Sequence, residues 1–116
     1  MPELPEVETT VRAINKFENH ILEEVIIHNK NLRWRVEKKV ETLTRNQLIH
    51  KITRRAKYIL IYFDKQCLIV HLGMSGKLRI QESNNNYFKK HDHAEFIFKD
   101  EKIIFNDVRR FGSIHL

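Results

Sequence analysis

Cysteine, proline and glycine are scarce in this 116-residue sequence, which carries one, two and three of them respectively. The lone Cys67 excludes an internal disulfide framework and a four-thiolate zinc site, and a reducing cytoplasm is the simplest home for such a chain. It lies in the apolar run Gln66 to Val70 and reads as a buried, inert thiol. Long hydrophobic runs are also lacking. No stretch approaches the roughly 18 uninterrupted apolar residues of a membrane span, and the start is acidic rather than basic and apolar, unlike a secretory signal. The expectation is a soluble, intracellular protein that uses no membrane. Both prolines, Pro2 and Pro5, fall at the start, and two of the glycines, Gly73 and Gly76, bracket Met74 and Ser75, where they imply a sharp turn.

What is abundant is positive charge. Lys and Arg number 21 against 15 Asp and Glu, a formal net charge of +6, which favours polyanionic partners wherever the excess clusters on one face. The length fits one domain, spanning residues 1–116. From Pro5 to about Asn19, Val7, Val11, Ile14 and Phe17 recur at helical spacing, with acids early and bases late, so one amphipathic helix is expected. Short β-rich runs follow at 21–28, 48–53, 58–63, 67–72, 77–80, 94–98 and 102–105, with a short helix at 36–44. Asp64-Lys65 and Asp100-Glu101 read as hairpin links, and the polar stretch from Glu82 to Asn86 as a mobile surface loop. Many short strands after one helix suggest a sandwich or a barrel.

The chemistry concentrates at the N-terminus. Removal of Met1 would expose Pro2 as a secondary amine beside the carboxyl of Glu3. A chain-end amine titrates at roughly 7.7 to 8, so it is an available nucleophile toward carbonyl-type carbon without the large shift a lysine needs. Its iminium product acts as an electron sink, and a neighbouring carboxyl can relay protons. A helix-leading acid that serves only the dipole is the plainer account of Glu3. Likewise, Lys57 after Arg54-Arg55 can be one more solvated charge. His91-Asp92-His93 supplies only two histidine ligands on one strand face, one short of a typical catalytic zinc.

Five segments together carry a resemblance: Pro2-Glu3-Leu4-Pro5-Glu6-Val7-Glu8-Thr9, Arg54-Arg55-Ala56-Lys57-Tyr58, His71-Leu72-Gly73-Met74-Ser75-Gly76, Lys90-His91-Asp92-His93 and Arg109-Arg110-Phe111-Gly112. In this order, over essentially the whole chain, the sequence resembles the N-terminal domain of bacterial formamidopyrimidine-DNA glycosylases. The resemblance implies a two-sheet β-sandwich of short antiparallel strands fronted by the N-terminal helix. It implies Pro2 as the nucleophile that attacks C1′ of an oxidised purine nucleotide, Glu3 as acid/base and Lys57 as a proton donor in elimination. It gives His71, His91 and Arg109 contacts to DNA, and makes Met74, Arg109 and Phe111 the trio that fills the space of the everted nucleotide. Those residue types suit the task, since methionine is an adaptable filler, phenylalanine a wedge and arginine a donor to the orphaned base.

The family's zinc lies in a C-terminal segment that this sequence does not include, so neither metal nor other cofactor is expected within it. The resulting expectation is a monomeric, cytoplasmic glycosylase and abasic-site lyase acting on double-stranded DNA with oxidised purines or abasic sites. Lesion excision by these residues alone is expected to be impaired. A non-catalytic, basic DNA-binding fragment or the remnant of a decayed gene is the alternative.

Overall fold

The computed structural model describes residues 4–116. Helix α1 (Leu4–Ile14) buries Val7, Val11 and Ile14 and runs into a 3-10 turn at Asn15–Phe17, where Phe17 stacks on Phe98 with centroids 4.2 Å apart. The expected helix therefore ends one turn early: Glu18 is extended and Asn19 adopts a left-handed backbone (φ 65°), which asparagine tolerates better than most residues.

The chain then forms β1 (Ile21–Leu22), β2 (Glu24–Ile27), α2 (Lys39–Thr44), β3 (Gln47–Leu48), β4 (Lys51–Arg55), β5 (Tyr58–Tyr62), β6 (Cys67–His71), β7 (Gly76–Glu82), β8 (Asp92–Ile97), β9 (Glu101–Asp107) and β10 (Ser113–His115). Strands β1 and β3 make a small ribbon. The others form two antiparallel four-stranded sheets, ordered β10-β6-β5-β4 and β2-β8-β9-β7. Register explains the core. Val25, Phe96, Ile103 and Ile80 are cross-strand partners in one row, and Ile27, Ala94, Phe105 and Leu78 in another. The facing sheet contributes the row Ile52, Ile61, Leu68 and the row Ile59, Val70, Ile114. The buried members of both sheets join α1 in one continuous hydrophobic core, so the expected β-sandwich with an N-terminal helix is the observed architecture.

The segment following α1 and helix α2 also cover sheet edges, where unpaired backbone groups would otherwise invite further strands. Ile52 on edge strand β4 donates its N–H to Glu18 at 2.7 Å, and Ile27 on edge strand β2 donates to Glu41 of α2 at 3.2 Å.

Several local expectations shift. The run 21–28 divides at Glu23, whose N–H donates to Ile97 O, and its two parts enter different sheets. The second hairpin centres on Lys99-Asp100, with Phe98 donating to Glu101 O at 2.9 Å. Cys67 lies on the outward face opposite Tyr62 and is half-buried rather than in the core; desolvation raises its thiol pKa. The 82–90 segment is exposed but tied down: Gln81 donates to the carbonyls of Asn85 and Tyr87, Ser83 to Lys99 O, and the Lys89 N–H to Asp92 at 2.7 Å. Among the described residues, no helix is long and apolar enough to cross a membrane.

Candidate nucleic-acid interface

At one end of the sandwich the β6–β7 turn meets the β9–β10 loop, and the contact is made by glycines. Gly73 sits at φ 63°, and a Cβ there would lie 2.6 Å from the backbone of Phe111 and of Gly112. At Gly76, a Cβ would fall 2.2 Å from Leu72 O, the same carbonyl that accepts the Gly76 N–H. One at Gly112 would lie 2.6 Å from His71 O. Only glycine permits backbones to pass this closely.

Asp107, fully buried at the end of β9, locks the two loops together. One carboxylate oxygen accepts the Ser75 hydroxyl at 2.6 Å and the other accepts the Gly112 N–H at 2.8 Å. The Ser75 hydroxyl oxygen in turn accepts the Arg109 N–H at 3.0 Å. The base of the platform is thus a satisfied polar network, while its tips project outward: Met74 and Phe111 are each 42% exposed, and Arg109 is exposed with its guanidinium 3.9 Å from the Met74 sulfur. Two apolar side chains held side by side in water on a fixed base form a small projecting apolar patch beside a cation.

His91 belongs to the same end. Its carbonyl accepts the Asp107 N–H at 3.1 Å, and its left-handed backbone (φ 71°) turns the chain into β8. The next histidine, His93, is buried at a bulge, and its Nε2–H donates to Asp107 O at 2.7 Å. The bulge places these two histidines differently from a regular strand, with ring centroids 6.2 Å apart. No group of three or more His, Cys, Asp or Glu side chains among the described residues could hold a metal ion.

His71 closes β6 beside this platform. Its Nδ1 accepts the Gly73 N–H at 3.1 Å, leaving Nε2–H as the ring's one donor, and its ring centroid lies 4.6 Å from that of Tyr58. Burial, then the positive charges of Lys57, Arg33 and His115, lower its pKa below the usual 6.5. A neutral donor surrounded by cations suits a phosphate oxygen.

Lys57 occupies the two-residue tip of the β4–β5 hairpin, after Ala56 in the left-handed region (φ 52°). Arg54 fixes that tip by donating to Ala56 O at 2.9 Å, and its Nε is 2.7 Å from the Glu8 carboxylate on α1. Arg54 holds the Glu8 pKa below the ordinary carboxylate value. The helix that follows Pro2 and Glu3 is therefore mechanically joined to the Lys57 hairpin, while Pro2 and Glu3 themselves lie outside the described residues. In the same region, Glu6 and Thr10 of α1 line a cleft of about 240 Å³ with Leu72 and Gly76.

The structure thus gathers Met74, Arg109, Phe111, His71 and His91 around one pair of loops, with Lys57 electrostatically coupled to His71. Sequence reasoning missed the residues that hold them, Ser75 and Asp107. A carboxylate embedded at the end of the apolar run Ile103 to Phe105, just before two arginines, was the available signal.

Fold and site together define a helix-fronted antiparallel β-sandwich whose loop end combines cations with projecting apolar tips. Within that class, the chain belongs to the formamidopyrimidine-DNA glycosylase N-terminal domain family, whose profile it matches over residues 1–114. It is 41% identical over 115 residues to formamidopyrimidine-DNA glycosylase of Histophilus somni strain 2336, covering 97% of this chain and 42% of that protein. Identity to the Haemophilus influenzae strain PittEE enzyme of the same name is 44%, with the same shares covered. Among solved structures, Lactococcus lactis Fpg in complex with abasic-site DNA superposes with a TM-score of 0.87 at 30% identity, over 98% of this chain and 42% of that one. The same protein with Fapy-dG DNA gives a TM-score of 0.87 at 30% identity, over 97% and 43%. The chain spans less than half the length of the relatives it matches.

Proposed function

We propose that this chain is the catalytic domain of a DNA-repair glycosylase and abasic-site lyase for oxidised purines. It would act as a monomer on double-stranded DNA in the cytoplasm. The observation that carries the reading is the locked loop pair presenting Met74, Arg109 and Phe111 beside His71.

In this reading, Phe111 and Met74 enter the duplex where a nucleotide leaves it, and Arg109 bonds the base left behind. Everting a nucleotide costs a few kcal/mol, which these contacts offset in part. His71 touches a DNA phosphate, and His91 and Arg109 grip the strand near the lesion. Once Met1 is removed, the Pro2 nitrogen adds its lone pair to C1′. The C1′–N bond to the purine breaks, and the purine leaves with the electron pair and takes a proton. Glu3 protonates the sugar ring oxygen, the ring opens, and Pro2 holds the sugar as an iminium ion. That cation acidifies C2′–H, so proton loss expels the 3′ phosphate, and a second elimination expels the 5′ phosphate, with Lys57 supplying protons. For residues 1–116 taken alone, lyase action on abasic DNA outlasts lesion excision, because the Schiff-base steps need chiefly Pro2, Glu3 and Lys57.

Borohydride trapping on abasic-site DNA, with intact-mass analysis of the N-terminus and a Pro2→Gly control, tests the reading. An adduct mapped to Pro2 is expected. DNA binding without an adduct from a chain lacking Met1 would support the non-catalytic alternative for these residues, and turnover of an 8-oxoguanine duplex as fast as of abasic DNA would refute the expected impairment.

A further inference from the structure

Next to the platform, the Asn31–Arg35 loop and the Val108–Phe111 loop enclose an open cleft of about 550 Å³, lined by Asn31, Arg33, Trp34, Arg109, Arg110 and Phe111 with Leu32 at its floor. Three features set it apart. Among these lining residues three are arginines and none is acidic. Trp34 is 63% exposed, unusual for so large an apolar ring, and Arg33 backs it with its guanidinium 5.5 Å from the ring centroid. The two walls are also one unit, because the Arg33 N–H donates to Gly112 O at 3.1 Å, and Gly112 is held by Asp107. Arg110 keeps a left-handed backbone (φ 58°), a conformation that costs a non-glycine residue about 1 kcal/mol and persists only where the surroundings impose it.

A flat aromatic ring flanked by guanidinium groups matches a planar base carrying an anionic phosphate. We propose that this cleft is a binding subsite for an unpaired nucleotide of DNA, with its base stacked on Trp34 and its flanking phosphates on Arg33 and Arg110. The proposal rests on DNA being the partner. Since Arg109 and Phe111 line the cleft and also belong to the platform, the subsite adjoins the point where the duplex would be opened. There an unpaired base becomes available only when the duplex is opened.

Trp34 is the sole tryptophan of the chain, so its fluorescence reports on this cleft alone. The 116-residue chain is titrated with an oligothymidylate of about ten nucleotides, within the usual span of a single-strand site, while the anisotropy of a labelled strand follows binding independently. Saturable quenching that tracks the anisotropy is expected. Trp34→Ala weakens binding about tenfold and Trp34→Phe restores most of it, as expected for stacking. Arg33→Ala lowers the salt slope by about one phosphate. An abasic duplex quenches at lower concentration than an intact duplex of the same sequence. The proposal is overturned by strand binding without quenching, by absence of strand binding, by equal quenching with polyglutamate, or by abasic and intact duplexes quenching alike. Borohydride trapping in the same samples separates the two readings: a Pro2 adduct with unquenched Trp34 sinks the cleft alone, whereas quenching without an adduct sinks the catalytic assignment alone.

Discussion

The loop end of the sandwich and the outer face of the β2-β8-β9-β7 sheet are built from similar polar parts used in opposite ways. At the loop end, Asp107 commits both carboxylate oxygens to a serine hydroxyl and a backbone N–H, and the loops it ties hold Met74 and Phe111 out in water. On the outer face, Asp92 takes both guanidinium donors of Arg79 at 2.9 and 2.7 Å, while Glu95 bridges Lys102 at 2.8 Å and His28 at 2.6 Å. There the aromatic residues lean onto the network itself: Tyr87 packs over Arg79 and Phe88 against His28. The outer face is complete without a ligand, whereas the loop end is rigid and chemically unfinished. Preorganisation of that kind reduces the ordering cost of binding.

Glycine substitution should break this contrast most sharply, because all three glycines of the chain lie at the loop end and none on the outer face. Gly76→Ala places a methyl 2.2 Å from the Leu72 carbonyl, and the backbone must move; a loss of about 4 kcal/mol is expected, at the exceptional end for a single substitution. Urea unfolding measures it, and a loss under 1 kcal/mol would mean that the β6–β7 turn is not held tightly against Leu72. Removing the acids comes next. Asp107→Ala leaves the buried Gly112 N–H and the half-buried Ser75 hydroxyl without their acceptor and should cost about 3 kcal/mol. Asp92→Ala should cost about half as much, because Arg79 remains partly exposed and can turn to water. The reverse order would place the structural keystone on the outer face instead.

The sequence disclosed these regions unequally. Strand pairs such as Ile59-Leu60-Ile61 against Leu68-Ile69-Val70 were legible because two short apolar runs rich in β-branched residues, joined by a short polar link, read as a hairpin. The grouping of Met74, Arg109 and Phe111 was legible through a family likeness, and the sharp turn implied by Gly73 and Gly76 agrees with the exposure of Met74. Asp107 was harder to read, because the apolar run before it hints at burial while its partners, 32 residues before it and 5 after it, are brought to it only by the fold. The same holds for the stretch from Glu82 to Asn86: its asparagines suggest mobility, while Gln81 donating to Asn85 O and Ser83 donating to Lys99 O are contacts only the folded sheet creates. Strand β10 escaped because three residues after a glycine carry no periodicity, and its pairing with β6 supplies the signal.

Acid titration sharpens the comparison with a smaller effect. The His71 pKa is lowered, so its neutral form is favoured by folding; that contribution is present above the unfolded value of about 6.5 and is lost as pH falls through the lower folded value. Protonated Nδ1 cannot accept, so the Gly73 N–H bond opens at the same point. Asp92 behaves differently. Burial pushes its pKa up, but Arg79, Asn106 and the Lys89 N–H outweigh that and bring it to about 2. Its contribution is present above the ordinary 3.8 and is lost only as pH falls toward 2. Amide NMR through the acid range should record the Gly73 resonance shifting at milder pH than that of Lys89. Simultaneous shifts would show that the two regions unfold as one unit, with no separate switch at His71.

The smallest effect on stability should accompany a large effect on binding, and only at the loop end. Phe111 is 42% exposed and Phe88 58%, so truncating either removes little buried surface, and each alanine variant should lie within about 0.5 kcal/mol of the parent in unfolding. Affinity for abasic duplex separates them. Phe111→Ala should weaken binding about tenfold, by analogy with the loss of one wedge or stacked base, while Phe88→Ala leaves it nearly unchanged, since Phe88 already has its partner in His28. Equal losses from the two variants would mean that an exposed aromatic ring near basic residues is enough for affinity. A loss confined to Phe111 would mean that the rigid base beneath it, rather than exposure itself, makes an apolar tip into a binding element.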